Sequence, residues 1–157
     1  MTDKHERTIV LIKPDAIQRS LVANIIHRFE LKGLKIVGIK MISVDDATVR
    51  EHYAHHVDKP FFDSLKRFMQ SAPIVVLALE GFEAVKVVRQ LAGATSGREA
   101  DIGTIRGDLS MSLQMNVVHA SENVEAAQEE LKRFFDSKEL FAYDKIDFET
   151  LYSESER

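Results

Sequence analysis

The chain has 157 residues, 45% of them hydrophobic and 29% charged, and a formal net charge of −4 at pH 7. This length predicts a single domain over residues 1–157, with a core over about 6–135 and a tail over 136–157. The absence of Cys excludes thiol catalysis and Cys-ligated metals, and the acidic balance argues against non-specific nucleic-acid binding. Because no apolar run approaches the roughly 18 residues of a membrane span and the N-terminal residues form no apolar signal, we expect a cytoplasmic protein without a membrane partner.

The chain begins with a pattern of strand, helix and strand. Residues 8–12 form a β-branched apolar run that stops before Pro14, which predicts a strand because proline suits a strand's end. Apolar residues at positions 22, 25, 26 and 29 recur at helical spacing and predict a helix that ends near Gly33. Residues 35–44 are rich in Ile and Val and predict a second strand, with Gly38 as a candidate bulge.

Two short helices and a third strand are predicted next. Asp45 is a suitable N-cap for a helix that reaches about His56, and another helix follows Pro60. Four apolar side chains share one face of that second helix: Phe61, Leu65, Phe68 and Met69. Residues 74–79 are apolar throughout, which is typical of a strand buried on both faces and hence central, and Gly81 predicts the strand's end.

The last part of the chain combines a helix, a long loop, a short strand and a final helix. A helical pattern from residue 85 ends at Gly93, and no periodicity holds over residues 93–115. A loop of that length within a compact domain is usually functional. Residues 117–118 predict a fourth strand, and a helix over 124–135 precedes a tail of mixed composition. This order predicts an α+β fold, a ferredoxin-like (split βαβ) four-stranded antiparallel sheet covered by helices.

His119 is the residue best placed for chemistry. It is predicted to end a short β-segment that begins at Asn116, directly before a helix start at Ala120 whose N–H groups would favour an anionic ligand. Glu130 lies on the following helix and could fold back to orient the imidazole. A carboxylate partner fixes the histidine tautomer and makes the other ring nitrogen a better nucleophile. From spacing alone, however, a packed or surface histidine is the favoured interpretation.

Cations and a hydroxyl group are available for an anionic substrate. Lys13 lies just past the first strand, Arg89 lies on a predicted helix, and the long loop carries Thr95, Arg98 and Arg106. Arg forks and Lys point charges suit phosphate oxygens. Taken singly, each of these cations is most often a solvated surface residue.

A cluster of histidines raises the question of a metal site. His52, His55 and His56 would share one face of the predicted helix, where they could bind a metal ion. No carboxylate completes the set at ligand spacing nearby, so we favour a solvated or partly functional helix face. We therefore predict no metal held by the protein's own side chains.

Four segments, in order along the chain, are similar to one known family. Residues 116–122, Asn-Val-Val-His-Ala-Ser-Glu, resemble the active-site signature of the nucleoside diphosphate kinases, Asn-x-x-His-Gly-Ser-Asp/Glu. The other three are Ile12-Lys13-Pro14-Asp15 with Gln18-Arg19, Pro60-Phe61-Phe62 and Gly103-Thr104-Ile105-Arg106-Gly107-Asp108. The similarity runs from about residue 6 to 135 and implies a ferredoxin-like core.

The resemblance also implies an activity, a ping-pong phosphoryl transfer. In this reaction His119 takes the γ-phosphate of a nucleoside triphosphate and passes it to a nucleoside diphosphate. By similarity, Glu130 orients the His119 ring and Ser121 hydrogen-bonds Glu130, while Lys13 and Tyr53 complete the catalytic set. The implied nucleotide contacts are Arg89, Thr95, Arg106 and His56 for the phosphates, Lys13 and Asn116 for the sugar and the transferring group, and Phe61 with Leu113 for the base.

The family resemblance further implies Mg²⁺ bound through the nucleotide phosphates and a homo-oligomer, a tetramer or hexamer built from dimers. The sequence departs from the family pattern at Ala120, where Gly is usual, at Ser96-Gly97 and Ile102, which replace two prolines, and at His55, where an acidic residue is common. Fewer prolines widen the unfolded ensemble and could loosen a loop that also packs between subunits. None of these departures removes a proposed catalytic group, so we expect activity to survive.

Two other functions remain open at this point. A catalytically inactive nucleotide-binding or scaffold relative would share the fold, although the intact His119, Glu130 and Lys13 speak against it. A single-stranded nucleic-acid binder would place aromatic side chains on exposed sheet strands, whereas Phe and Tyr lie mainly on predicted helices here. We therefore expect no specific nucleic-acid partner.

Overall fold

The computed structural model describes residues 5–157 and contains a four-stranded antiparallel sheet in the order β2-β3-β1-β4. The strands are β1 His5–Ile12, β2 Lys35–Ile42, β3 Ile74–Phe82 and β4 Val118–Ala120. As the uniform apolar run predicts, β3 is an inner strand, paired with β1 and β2. The ladder between β2 and β3 shifts register between Ile36 and Gly38, which confirms an irregularity at the predicted bulge.

Helices cover both faces of the sheet. They are α1 Pro14–Gln18, α2 Val22–Leu31, α3 Asp46–His52, α4 Phe62–Met69, α5 Ala84–Ala92, α6 Ile105–Leu109, α7 Val124–Phe134 and α8 Phe148–Leu151, with 3₁₀ turns at Ala54–His56 and Ser137–Glu139. Side chains of β1 alternate, so Ile9 packs in the cluster with α3, α4 and α7, while Val10 packs in the cluster with α1, α2, α5 and α6. This confirms the predicted fold class.

Several boundaries in the first half differ from the sequence prediction. Strand β2 ends at Ile42, two residues before the predicted end at 44, and β3 continues through Gly81, which pairs with Glu6 in the ladder. Helix α3 ends at His52 instead of about His56, because the chain tightens into the 3₁₀ turn Ala54–His56. Phe61 does not share the buried face of α4, since it lies at the N-cap and is 45% exposed.

The long loop and the region of His119 also differ from the prediction. A short helix, α6, interrupts the loop, and Thr104 caps it by accepting a hydrogen bond from the Gly107 N–H. His119 lies in the middle of β4, and the next helix begins only at Val124, where Asn123 is the N-cap. The predicted helix start at Ala120 is therefore wrong, because Ala120 still pairs with β1. Strand pairing, and not a helix terminus, holds the imidazole.

The tail beyond α7 packs against the outer edge of the sheet. The Phe141 N–H donates to the Val37 carbonyl at 2.8 Å, and the Tyr143 hydroxyl donates to the Ile36 carbonyl at 2.6 Å. Across residues 5–157, no helix is both long and apolar enough to cross a membrane. The sequence-based expectation about an N-terminal signal concerns in part residues 1–4, which lie outside the described residues.

Candidate active site

A cavity of about 590 Å³ lies beside β4 and brings together residues from distant parts of the chain. Its lining includes every residue to which the resemblance assigns a direct contact with the nucleotide or the transferring group: Lys13, Tyr53, His56, Phe61, Arg89, Thr95, Arg106, Leu113, Asn116 and His119. Glu130 and Ser121 lie behind His119, whereas the loop cation Arg98 is not part of the lining. The lining carries cations but no carboxylate, so the cavity suits an anionic ligand.

His119 is held by a carboxylate that is itself hydrogen-bonded. The His119 Nε2 atom lies 3.1 Å from each carboxylate oxygen of Glu130, and the Ser121 hydroxyl donates to Glu130 Oε2 at 2.6 Å. Burial raises the pKa of Glu130, but the hydrogen bond and charge of His119 and the Ser121 bond outweigh it and lower that pKa. Glu130 is therefore an anion at neutral pH, Nε2 carries the proton, and the lone pair resides on Nδ1.

Lys13 is a buried cation that depends on a few polar contacts. Its Nζ atom donates to Asn116 Oδ1 at 2.7 Å, and the Asn116 amide donates in turn to the Thr95 carbonyl at 2.8 Å. Burial and the charge of Arg106 lower the pKa of Lys13 to about 8, although Asp15 opposes this shift. Lys13 is thus mostly protonated at pH 7, and an approaching phosphate would favour that charged form further.

Arg106 is fixed by backbone carbonyl groups. Its guanidinium donates to the carbonyls of Gly93 at 2.9 Å, Val118 at 2.8 Å and Asn116 at 3.4 Å. These bonds orient the planar fork and leave its remaining N–H groups for a ligand. Burial and the nearby charge of Arg89 lower the pKa of Arg106 to about 10, so it stays charged at neutral pH.

Aromatic rings connect the cavity mouth with His119. The Phe61 ring lies 5.1 Å from the His56 ring, and the His56 ring stacks on Tyr53 at 6.3 Å between centroids. The Tyr53 hydroxyl donates to Met69 Sδ at 3.6 Å, so its ring, and not its oxygen, faces the ligand space. Burial, His55 and Lys59 lower the pKa of His56, which is therefore neutral at pH 7.

His52 is a neighbour of the nucleophile that the sequence reasoning placed elsewhere. Its ring lies 4.4 Å from that of His119, and its Nδ1 atom accepts a hydrogen bond of 3.3 Å from Arg133. Burial and the charges of His119 and Arg133 lower the pKa of His52 to about 2, so the ring is neutral. No sequence signal identifies this contact, because packing of α3 against α7 creates it.

His52, His119 and Glu130 form the only group of possible metal ligands within residues 5–157, with ligand atoms within 4.8 Å of one another. The Arg133 guanidinium beside His52 opposes a cation there, and Glu130 is already occupied by His119 and Ser121. His55 and His56 lie on the 3₁₀ turn and do not join this group. The predicted absence of a protein-held metal is not tested by this arrangement.

Comparison with known proteins identifies the family. A family model described as nucleoside diphosphate kinase matches residues 6–140. The nucleoside diphosphate kinase of Parabacteroides distasonis is 49% identical over 151 residues, which cover 96% of this chain and 99% of that protein. The one from Rhodopirellula baltica is 50% identical over 141 residues, 90% of this chain and 93% of that protein.

Solved structures agree with this family. A Halobacterium salinarum nucleoside diphosphate kinase in complex with CDP superposes with a TM-score of 0.92 at 45% identity, covering 94% of this chain and 99% of that one. A Borrelia burgdorferi nucleoside-diphosphate kinase with bound vanadate and ADP, a transition-state mimic, superposes with a TM-score of 0.85 at 34% identity, covering 91% and 94%. The chain therefore belongs to the nucleoside diphosphate kinase family.

Proposed function

We propose that this phosphotransferase carries the transferred phosphate on His119 Nδ1. The supporting observation is the chain Ser121–Glu130–His119, which places the proton on Nε2 and leaves the Nδ1 lone pair for the ligand. In the first half-reaction, Nδ1 forms a bond to the γ-phosphorus of a nucleoside triphosphate as the bond from that phosphorus to the β,γ-bridging oxygen breaks. The nucleoside diphosphate leaves with that oxygen, and a second diphosphate takes the phosphate back by the reverse step.

Glu130 stabilises the charge that this step creates. When Nδ1 bonds to phosphorus, the imidazole becomes cationic, and the anionic Glu130 carboxylate accepts a stronger hydrogen bond from Nε2. The neutral state of His52 avoids a repelling charge beside the ring. The pair therefore stabilises the phosphorylated histidine more than the free one.

The cations of the cavity hold the phosphates. Arg106 and Lys13 lie near the nucleophile, while Arg89 and Thr95 are exposed at the cavity's edge, where they would contact the phosphates behind the transferring group. Phosphoryl transfer depends mostly on positioning and charge stabilisation, which fixed donors supply without reorganisation. Lys13 and Asn116 would bind the transferring group and the sugar hydroxyls, and His56 would reach the phosphate nearest the ribose.

The base would lie between Phe61 and Leu113 at the cavity mouth. These side chains are 45% and 62% exposed and offer a ring face and an aliphatic surface without hydrogen-bond donors. Such contacts do not distinguish one base from another. We therefore expect the enzyme to accept di- and triphosphates of any common base.

Mg²⁺ would enter with the nucleotide. No carboxylate lines the described part of the cavity, whereas Mg²⁺ in proteins is usually held by carboxylates, water and substrate phosphates. The residues present thus fit an ion held by phosphate oxygens. When bound in this way, the ion neutralises phosphate charge and orients the oxygens.

Labelling with γ-³²P-ATP tests the proposal. We expect an acid-labile label on His119 of the wild-type protein that is discharged by added diphosphate, with no label on the His119→Ala variant. An unlabelled wild-type protein, or equal label on both proteins, would contradict it. Nucleotide binding without label would indicate an inactive relative instead.

We also propose self-association. Large apolar side chains are exposed on the outer strand β2 and along the long loop: Ile39, Met41, Ile102 and Met111. On β2, the tail covers the edge at Ile36 and Val37. Sedimentation velocity would distinguish a tetramer or hexamer from a monomer. A cytoplasmic location and a single domain stay predictions from the sequence.

A further inference from the structure

The residue two positions before His119 has an unusual backbone. Val117 has φ of 63°, in the left-handed region, and its side chain is fully buried. Ser20 and Glu83 also have positive φ, but Val117 is the β-branched one, for which this conformation is most unfavourable. A buried Val keeps such a conformation only where the surroundings enforce it.

Two hydrogen bonds to the segment after β1 enforce this conformation. The Val117 N–H donates to Asp15 Oδ2 at 3.1 Å, and the Val117 carbonyl accepts from the Lys13 N–H at 2.9 Å. Asp15 is 6% exposed, and its Oδ1 atom has no hydrogen-bond partner within the described chain. Burying a carboxylate with one free oxygen is unfavourable, so the bond to Val117 is a notable use of this side chain.

The backbone at Val117 determines where its neighbours point. On one side, Asn116 directs its side chain to Lys13 and Thr95, and on the other, His119 pairs with β1 and meets Glu130. A change of Val117 to an ordinary extended or helical conformation would redirect Asn116 relative to His119. The site therefore requires the strained geometry.

We infer that Asp15 is a positioning residue for phosphoryl transfer, whose carboxylate holds Val117 in the left-handed conformation and so directs Asn116 and His119 into one cavity. This inference rests on the proposed function of His119. Nothing in it requires Asp15 to touch the substrate, because Asp15 does not line the cavity.

The charge of Asp15 has a separate consequence. Arg106 and Asp15 are the charged groups that shift the pKa of the buried Lys13, downward and upward respectively. Asp15→Asn keeps a carbonyl oxygen for the Val117 N–H but removes the negative charge, whereas Asp15→Ala removes both. The two variants thus separate backbone positioning from electrostatics.

The test measures the rate of His119 phosphorylation by quenched flow, per folded protein. Asp15→Ala should slow phosphorylation by about 10- to 100-fold, the range expected for a strained conformation that is no longer held. Asp15→Asn should stay within about threefold of wild type at pH 7, by the same conversion of energy to rate. Its alkaline limb should move to lower pH, because Lys13 loses a favourable charge.

Second-site variants provide the matched control. In the Asp15→Ala background, Val117→Gly should recover most of the lost rate, since glycine adopts positive φ without strain, whereas Val117→Ala should not. Both changes remove the same buried side chain, so only the backbone preference differs. Val37→Ala, a core change on β2, should lower thermal stability without changing the rate.

The outcomes separate this inference from the proposed function. An Asp15→Ala protein that phosphorylates at the wild-type rate, or equal rates for the Gly and Ala second-site variants, would overturn the positioning role. The proposed function would still stand, because wild-type labelling is measured in the same experiment. Absence of label in the wild-type protein would remove both.

Discussion

At the inner end of the cavity, Lys13 is 7% exposed and His119 is hydrogen-bonded to a buried carboxylate, whereas at the mouth Phe61 and Leu113 are 45% and 62% exposed. The inner groups are polar, charged and fixed by neighbours. The outer groups are apolar and make contact through surface alone. This difference divides the enzyme's task, because the common part of all nucleotides is bound by directional contacts and the variable part by non-directional ones.

The comparison predicts that damage to the inner end abolishes chemistry, most strongly at the pair Glu130 and His119. Glu130→Gln keeps the shape but removes the charge that stabilises a cationic imidazole, so we expect kcat to fall by about 10²- to 10⁴-fold. Glu129→Gln, an exposed change on the same helix, should leave kcat unchanged. Steady-state assays with ATP and a diphosphate measure both. A loss below about threefold would show that the carboxylate only orients the ring.

The second inner group, Lys13, should give the enzyme an alkaline limit. Because its pKa is lowered to about 8, the ammonium form is present below that pH and is lost as pH rises through it. We expect kcat/KM to decline above about pH 8, and Lys13→Arg, which cannot deprotonate, to remove this decline while lowering the plateau.

Lys86→Arg, an exposed change on α5, is the matched control for the pH profile and should retain the decline. A profile that stays flat to pH 10 in wild type would mean that bound phosphate keeps Lys13 charged throughout, or that its charge is not needed. Repeating the profile at saturating nucleotide, where kcat reports the complex, separates these two explanations.

At the mouth, the same kind of change should affect binding and not chemistry. Phe61→Ala removes a stacking surface that contributes about 1–3 kcal/mol per base, so KM should rise by about tenfold for every nucleotide while kcat changes little. Phe141→Ala, a similarly exposed ring in the tail, should have no effect. If KM rises for one base only, the mouth reads base identity, and the contrast between the two ends fails.

Much of the fold was predictable because it depends on local patterns. The apolar run of β3 predicts an inner strand, and Asp45 predicts the start of α3, whose Thr48 N–H it accepts. The short helices α1 and α6 were not predicted, since five residues carry too little periodicity to distinguish a helix from a loop. Their positions depend on Pro14 and on the Thr104 cap.

The site divides in a similar way. The family resemblance names the residues that line the cavity, but the contact of His52 with His119 arises from packing of separate helices. The left-handed backbone of Val117 has no signature in the sequence either, because valine is among the residues least suited to it. Contacts set by tertiary strain or by packing of helices distant in sequence require the structure.

The smallest expected effect concerns Ser121, the outermost member of the inner hydrogen-bonded chain. Its hydroxyl donates to Glu130 Oε2 at 2.6 Å and contributes to the lowered pKa of that carboxyl. Ser121→Ala should reduce kcat by only about 3- to 10-fold, since His119 still donates to Glu130 when one further donor is lost. The acidic limb of the rate profile should move to higher pH, because the pKa of Glu130 rises. Ser71→Ala, which removes a hydroxyl bonded to the Phe68 carbonyl, is the control and should change neither.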